Sequence, residues 1–235
     1  MSNEIHVAHL TKSFGNVRAI NDVDLDIPAG QIVGLMGENG SGKTTLLKIL
    51  SGVMLDYEGE VALNGQRPGL PTKAHTSFLP DASASPARLN GRQVAQMYAD
   101  FFADFNIDRA VEKLHYFQVP LDRPAARLSK GQREKLQIAM AIAREADFYF
   151  FDEPLSGVDP AARDQILHGI LADLPEHSTM LISTHLIQDI EAIVSHAVFM
   201  HAGTVRLAGD ADELRSEYGV SLDGLFRQMY RWEGK

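Results

Sequence analysis

Cysteine is absent from all 235 residues, which excludes disulfides and thiolate metal sites. Basic side chains are scarce: 22 Lys and Arg stand against 31 Asp and Glu, a formal net charge of −9. A protein that grips a nucleic-acid backbone needs a basic stripe, so no nucleic acid is expected as a partner. A small phosphorylated ligand stays open, because backbone amides bind one locally. Long apolar runs are missing too. Ile138-Ala139-Met140-Ala141-Ile142-Ala143 falls far short of the roughly 20 residues of a membrane helix. The start, Met1-Ser2-Asn3-Glu4, is polar and acidic and does not read as a secretory signal. There is no short-period repeat and no low-complexity tract. The composition, 45% hydrophobic and 23% charged, is that of a globular chain able to bury a sizeable core.

The patterning predicts an α/β protein. Val23, Leu25 and Ile27 alternate with Asp22, Asp24 and Asp26 as in a half-buried strand. Ile32 to Met36 reads as a buried strand and Lys43 to Ile49 as a helix ended by Gly52. Val61 to Leu63 followed by Asn64-Gly65 resembles a hairpin strand and its tight turn. After a loop-like stretch over 81–86, apolar residues recur at helical spacing: Val94, Met97 and Tyr98, then Ala110, Val111, Leu114 and Phe117. Pro120 and Pro124 interrupt before a helix near Gly131. Phe148 to Phe151 suits a strand covered on both faces. A helix from Pro160, a strand Met180 to Ser183, a helix Leu186 to Val194 and a hairpin of Ala197–Met200 with Val205–Leu207 follow. Leu222, Leu225, Phe226, Met229 and Tyr230 mark an amphipathic tail helix, expected to dock on the body of the chain.

Gly37-Glu38-Asn39-Gly40-Ser41-Gly42-Lys43-Thr44-Thr45 carries the chemistry. It matches G-x-x-x-x-G-K-[ST] between a strand and a helix. Glycines let the backbone wrap closely with amides inward, and the helix adds its positive end. Lys43 can reach terminal phosphates and Thr44 can offer a hydroxyl to Mg²⁺. A glycine-rich turn capped by Ser41 would account for less of the pattern. The strand Phe148 to Phe151 then ends in Asp152-Glu153-Pro154. Two carboxylates at the end of a buried strand fit an open α/β site. Asp152 would hold Mg²⁺, and Glu153 would orient or deprotonate an attacking water.

Leu128-Ser129-Lys130-Gly131-Gln132 resembles the signature motif of ABC-type ATPases, upstream of the two carboxylates. The resemblance runs from Phe14 to at least His185. It implies the P-loop NTPase fold of an ABC ATPase, with a RecA-like core, an antiparallel β-subdomain and an α-helical subdomain. Residues 1–235 would form one such domain, with the helical subdomain at about 82–145 and the tail at about 210–235. By the same resemblance Phe14 stacks on adenine, with a core role as the alternative. Ser156-Gly157-Val158-Asp159 looks like the D-loop, and His185 resembles the switch histidine that contacts the γ-phosphate. Ser129, Gly131 and Gln132 would face a nucleotide held by a second copy. Two positions depart from the pattern: Lys130 stands where glycine is common, and Asp81 replaces the Q-loop glutamine. Asp81 could meet Mg²⁺ or water but cannot donate amide hydrogen bonds.

The implied cofactors are ATP and Mg²⁺, with Glu153, His185 and Lys43 as catalytic groups. The implied partners are a second ATPase subunit, in a homodimer or a heterodimer, and a separate integral membrane permease. The chain would then lie on the cytoplasmic face of the membrane and power transport, with export favoured by family analogy. The permease would dock beside the Asp81 loop. Phe101, Phe102 and Phe105 either line that groove or pack into the helical core. The other class of reading is a soluble ABC ATPase acting on ribosomes or DNA. Such relatives carry paired ATPase domains, a basic linker or an inserted coiled coil, none of which this sequence shows.

Overall fold

Phe148 and Phe150 point to one side of their strand, Tyr149 and Phe151 to the other, and all four are buried. That strand, β6 (Phe148–Asp152), lies inside a six-stranded sheet. The computed structural model describes residues 4–81 and 85–231. The sheet also contains β3 (Ile32–Gly37), β5 (Thr76–Leu79), β7 (Thr179–Thr184), β8 (His196–His201) and β9 (Thr204–Asp210). Its order is β5-β6-β7-β3-β8-β9, parallel throughout except for the hairpin strand β9. A second sheet is antiparallel, with β1 (Ile5–Phe14) between β2 (Val17–Ile27) and β4 (Glu58–Leu63). Helix α1 (Lys43–Leu50) shares one core with this small sheet and the Phe148/Phe150 face of the large one.

The opposite face of the large sheet is covered by helices. These include α3 (Gly91–Phe101), α4 (Ile107–Tyr116), α5 (Lys130–Ile142) and α6 (Pro160–Leu171). A four-residue α2 (Leu70–Lys73) precedes β5. Asn90 and Asn106 cap α3 and α4, and Ser129 caps α5, each accepting the backbone N–H three residues on. Arg144 fastens this helical region to the sheet. Its guanidinium pairs with Asp104 at 2.9 Å, donates to the carbonyls of Thr76 and Ala74, and lies over the Phe102 ring. The chain ends in α8 (Ala211–Tyr218) and α9 (Leu222–Arg231). Leu222 and Leu225 of α9 are buried, so the tail docks on the body as expected. Among the described residues no helix is long and apolar enough to cross a membrane.

Three local expectations need correction. β4 pairs with β1 rather than with a following strand. Asn64-Gly65 closes one turn through bonds between Leu63 and Gln66, after which Pro68, lacking an N–H, cannot extend a ladder. The helix expected over Leu186 to Val194 is a single turn, α7 (Ile187–Ile190). Ser195 donates its N–H to Ile32 O at 2.9 Å and draws the chain back to the sheet. Strand β1 was not foreseen, because its alternation slips at His9, where φ is +51° and the register shifts. Of the loop expected over 81–86, residues 82–84 lie outside the described residues.

Candidate active site

β3, β7 and β6 are neighbours, and their C-terminal ends carry Gly37, Thr184 and Asp152. A site therefore forms where an open parallel sheet is expected to have one. From Gly37 the loop turns through Gly40 and Gly42, at φ +81° and +106°. A side chain at Gly42 would also lie 2.6 Å from the Ala19 carbonyl, so the position accepts only glycine. Lys43 opens α1 and is 6% exposed. Its ammonium donates to Gly37 O at 2.7 Å and Glu38 O at 3.1 Å. Burial lowers the Lys43 pKa, a shift partly offset by the charges of Glu153, Asp152 and Glu38.

Asp152 is buried, and its Oδ1 accepts the Ser183 hydroxyl at 2.6 Å. The same hydroxyl accepts the Glu153 N–H at 3.0 Å, while Glu153 sits at φ +48°. One Glu153 oxygen, Oε2, is 2.9 Å from His185 Nδ1. The other, Oε1, lies 3.9 Å from Lys43 Nζ and is buried without a hydrogen-bond partner among the described residues. Ser183 is a site residue that the sequence reading missed. A hydroxyl directly after Met180, Leu181 and Ile182 in β7 was the available signal.

Phe14, Asn39, Gly40, Ser41, Gly42, Lys43, Thr44, Thr45, Asp81 and Glu153 line one cleft of about 310 Å³. Phe14 is 49% exposed, so its core alternative is overturned; Lys12 Nζ stands 5.1 Å from its ring centroid. Ser41 Oγ is a second buried oxygen without a partner among the described residues. The cleft thus offers an exposed aromatic face, glycine-rich backbone, an ammonium and a carboxylate, a set suited to a nucleoside phosphate. The Thr44 hydroxyl lines this cleft, and the Asp152 carboxylate lies outside its lining, buried at the end of β6 next to Glu153. Hard oxygen donors of this kind suit Mg²⁺, which is commonly held by one or two carboxylates plus substrate phosphates.

Ser129, Gly131 and Gln132 do not join this cleft. Ser129 and Gln132 cap α5 reciprocally at 3.2 and 3.0 Å, and Ser129 and Lys130 are exposed. Lys130, the departure from the signature, lies 3.8 Å from Glu134 one turn on. The Glu134 carboxylate rests against Gly157, where a side chain would collide with it. Burial pushes the Glu134 carboxyl up; Asp81 adds to this, and Lys130 and Arg133 oppose it. Beside the Asp81 loop, a second cleft is lined by Phe78, Tyr98, Phe102, Gln137 and Arg144. Phe102 lines it and Phe105 packs on Tyr98, whereas Phe101 is exposed.

The family model for ABC transporters matches residues 20–156. The ABC transporter ATP-binding protein YtrB of Bacillus subtilis is 26% identical over 91% of this chain and 74% of its own length. The daunorubicin resistance ATP-binding protein DrrA3 of Streptomyces coeruleorubidus is 28% identical over 88% of this chain and 68% of its own. Among solved structures, an ATP-binding subunit of an ABC transporter superposes with a TM-score of 0.85 at 26% identity. That match covers 96% of this chain and 99% of the other. The dimeric bacterial cassette MJ0796 superposes at 0.78 and 21% identity, over 88% of this chain and 98% of its own, and shares the fold. The chain belongs to the ABC transporter family, as one of its ATP-binding and ATP-hydrolysing subunits.

Proposed function

We propose that two copies of this chain close head to tail over ATP and so drive a separate integral membrane permease. The observation that carries this is a divided site. Lys43, Glu153 and Phe14 share a cleft, while Ser129 stands exposed and Gly131 half-buried outside it. Gly37–Thr45 of one copy would hold the phosphates, and Ser129, Gly131 and Gln132 of the other would close over the terminal one. MJ0796 is a dimer, which supports the pairing.

Phe14 offers its exposed face to the base, a contact worth about 1–3 kcal/mol. Thr44 and Asp152, with Asp81 at the cleft edge, would hold Mg²⁺. The ion when bound neutralises developing phosphate charge. Glu153 Oε1 is the oxygen left to accept a proton from the attacking water. His185 steadies the other oxygen and, by the family resemblance, would contact the terminal phosphate. A coupling segment of the permease would enter the cleft at Phe78, Tyr98 and Phe102, beside Asp81. The chain would then lie on the cytoplasmic face of the membrane as a peripheral subunit. Export is supported by DrrA3, named for drug resistance. Nothing favours the alternative of an ATPase acting on ribosomes or DNA, and the charge of −9 opposes it.

Glu153→Gln tests this reading. With Mg·ATP the variant is expected to elute as a dimer by light scattering and to hydrolyse at least a hundredfold slower. A monomer in saturating ATP would overturn the pairing, and wild-type turnover would remove Glu153 from the role of base. Co-purification from native membranes should bring down an integral subunit.

A further inference from the structure

The phosphate loop is buttressed from behind by the turn between β8 and β9. Met200 pairs with Gly37 across the parallel ladder, so closely that a side chain at Gly37 would lie 2.5 Å from the Met200 carbonyl oxygen. The Gly203 N–H donates to Ser41 O at 3.0 Å, and the Gly203 carbonyl accepts the Asn21 N–H at 2.8 Å. The turn is thus bonded to the loop on one side and to β2 on the other. Gly37 in turn supplies the carbonyl on which the Lys43 ammonium rests.

One contact reaches this turn from the far end of the chain. The Tyr230 hydroxyl of α9 donates to the same Met200 carbonyl. Its ring packs on His201, centroids 5.2 Å apart, and on Phe226, at 4.2 Å. Leu222 and Leu225 anchor the helix on the body, so the hydroxyl is delivered from a docked element. A carbonyl tied to the tail and pressed against Gly37 ties the shape of the loop to the docking of α9.

We propose that Tyr230 is a positioning residue for ATP binding: from the C-terminal helix it holds the Met200 carbonyl, and through it Gly37, in the arrangement that receives phosphate. The inference rests on the reading of Gly37–Thr45 as the phosphate site. Coupling of this kind is reciprocal, so ATP must tighten α9 as much as α9 tightens the loop.

The test is Tyr230→Phe in the full chain, which deletes the hydroxyl and keeps both ring contacts. The Kd for ATP, by calorimetry, is expected to rise about two- to tenfold, with the worth of one such bond as the ceiling because only the part felt in the bound state enters Kd. The rate at saturating ATP should stay within twofold, and the thermal midpoint should fall by no more than about 1–6 °C, the loss of one hydrogen bond. Hydrogen exchange should quicken over 37–42 and 200–204 in the variant, and in the wild type ATP should slow exchange in α9. Gln228→Ala, on the exposed side of the same helix, should change none of these. An unchanged Kd in Tyr230→Phe, or exchange that quickens only within α9, would overturn the brace. Wild-type protein that binds ATP no better than Lys43→Ala would overturn the phosphate site itself, and the brace with it.

Discussion

Ser183 is the penultimate residue of β7, after Met180, Leu181 and Ile182, yet its hydroxyl serves both acidic residues at once, donating to Asp152 and accepting from the Glu153 backbone. A hydrogen bond to a charged group is worth about 1.5–3 kcal/mol, and this hydroxyl fixes the Asp152 carboxylate and the backbone from which Glu153 projects. Ser183→Ala is therefore expected to lower kcat about tenfold or more while leaving ATP affinity within twofold in the absence of Mg²⁺. Steady-state rates and calorimetry separate the two effects, and an unchanged kcat would show that the clamp does not matter. Lys43, Asp152 and Glu153 were legible in the sequence as neighbours in one site, because a phosphate loop and a strand-end acidic pair are local patterns, whereas Phe14 entered only through the family resemblance. Ser183, Arg144 and Tyr230 were not legible. Each acts on a partner distant in sequence, and no spacing rule records such a contact.

At the scale of elements, Arg144 joins the helical region to β5. It is 3% exposed and pairs with Asp104. Removing one partner of a fully buried pair costs about 3–5 kcal/mol, because the other charge is left without a counterion; Asp104 is part-exposed, which places this pair toward the low end. Arg144→Met should lower the thermal midpoint by about 6–15 °C, measurable by calorimetry. A shift below about 3 °C would mean that the pair is dispensable. The small sheet offers a pH test. His6 is held above its ordinary pKa by its hydrogen bond to Asp26, and His9 by its bond to Asp22. A raised folded-state pKa gives stability that is complete below the ordinary value of 6.5 and fades as pH rises through the raised one. The midpoint gap between wild type and a His6→Gln, His9→Gln double variant should be widest near pH 6, close by pH 9, and narrow in salt. A gap constant with pH would contradict the ion-pair reading. The same sheet shows why elements were harder to read than motifs. Ile5, Val7 and Leu10 face the core, but the bulge at His9 breaks their period of two. The pairing of β4 with β1 is likewise set by a shared core rather than by the Asn64-Gly65 turn.

At the scale of the whole molecule, a divided site can be tested by mixing two defective copies. Ser129→Asp keeps a good helix cap for α5 but places a negative charge where the partner's phosphate would sit. Paired with Lys43→Ala, it leaves one complete site per mixed dimer, since the intact loop and the intact signature come from different chains. The mixture should hydrolyse ATP well above either variant alone; no recovery would mean that the signature acts within its own chain. The strand order has a further consequence, for biosynthesis. β3, which leads into the nucleotide loop, is completed by residue 37, yet its two neighbours in the sheet begin at Thr179 and His196. At ~5–20 residues per second, translation delivers them on the order of ten seconds later. Until then the nascent strand can be sheltered only by α1 and the small sheet, which are made early and share its core. Nucleotide cannot chaperone that interval, because β7 and β8, the strands that flank β3 and hold the phosphate loop in place, have yet to emerge. A prematurely terminated chain should therefore be prey for proteases rather than a feeble ATP binder.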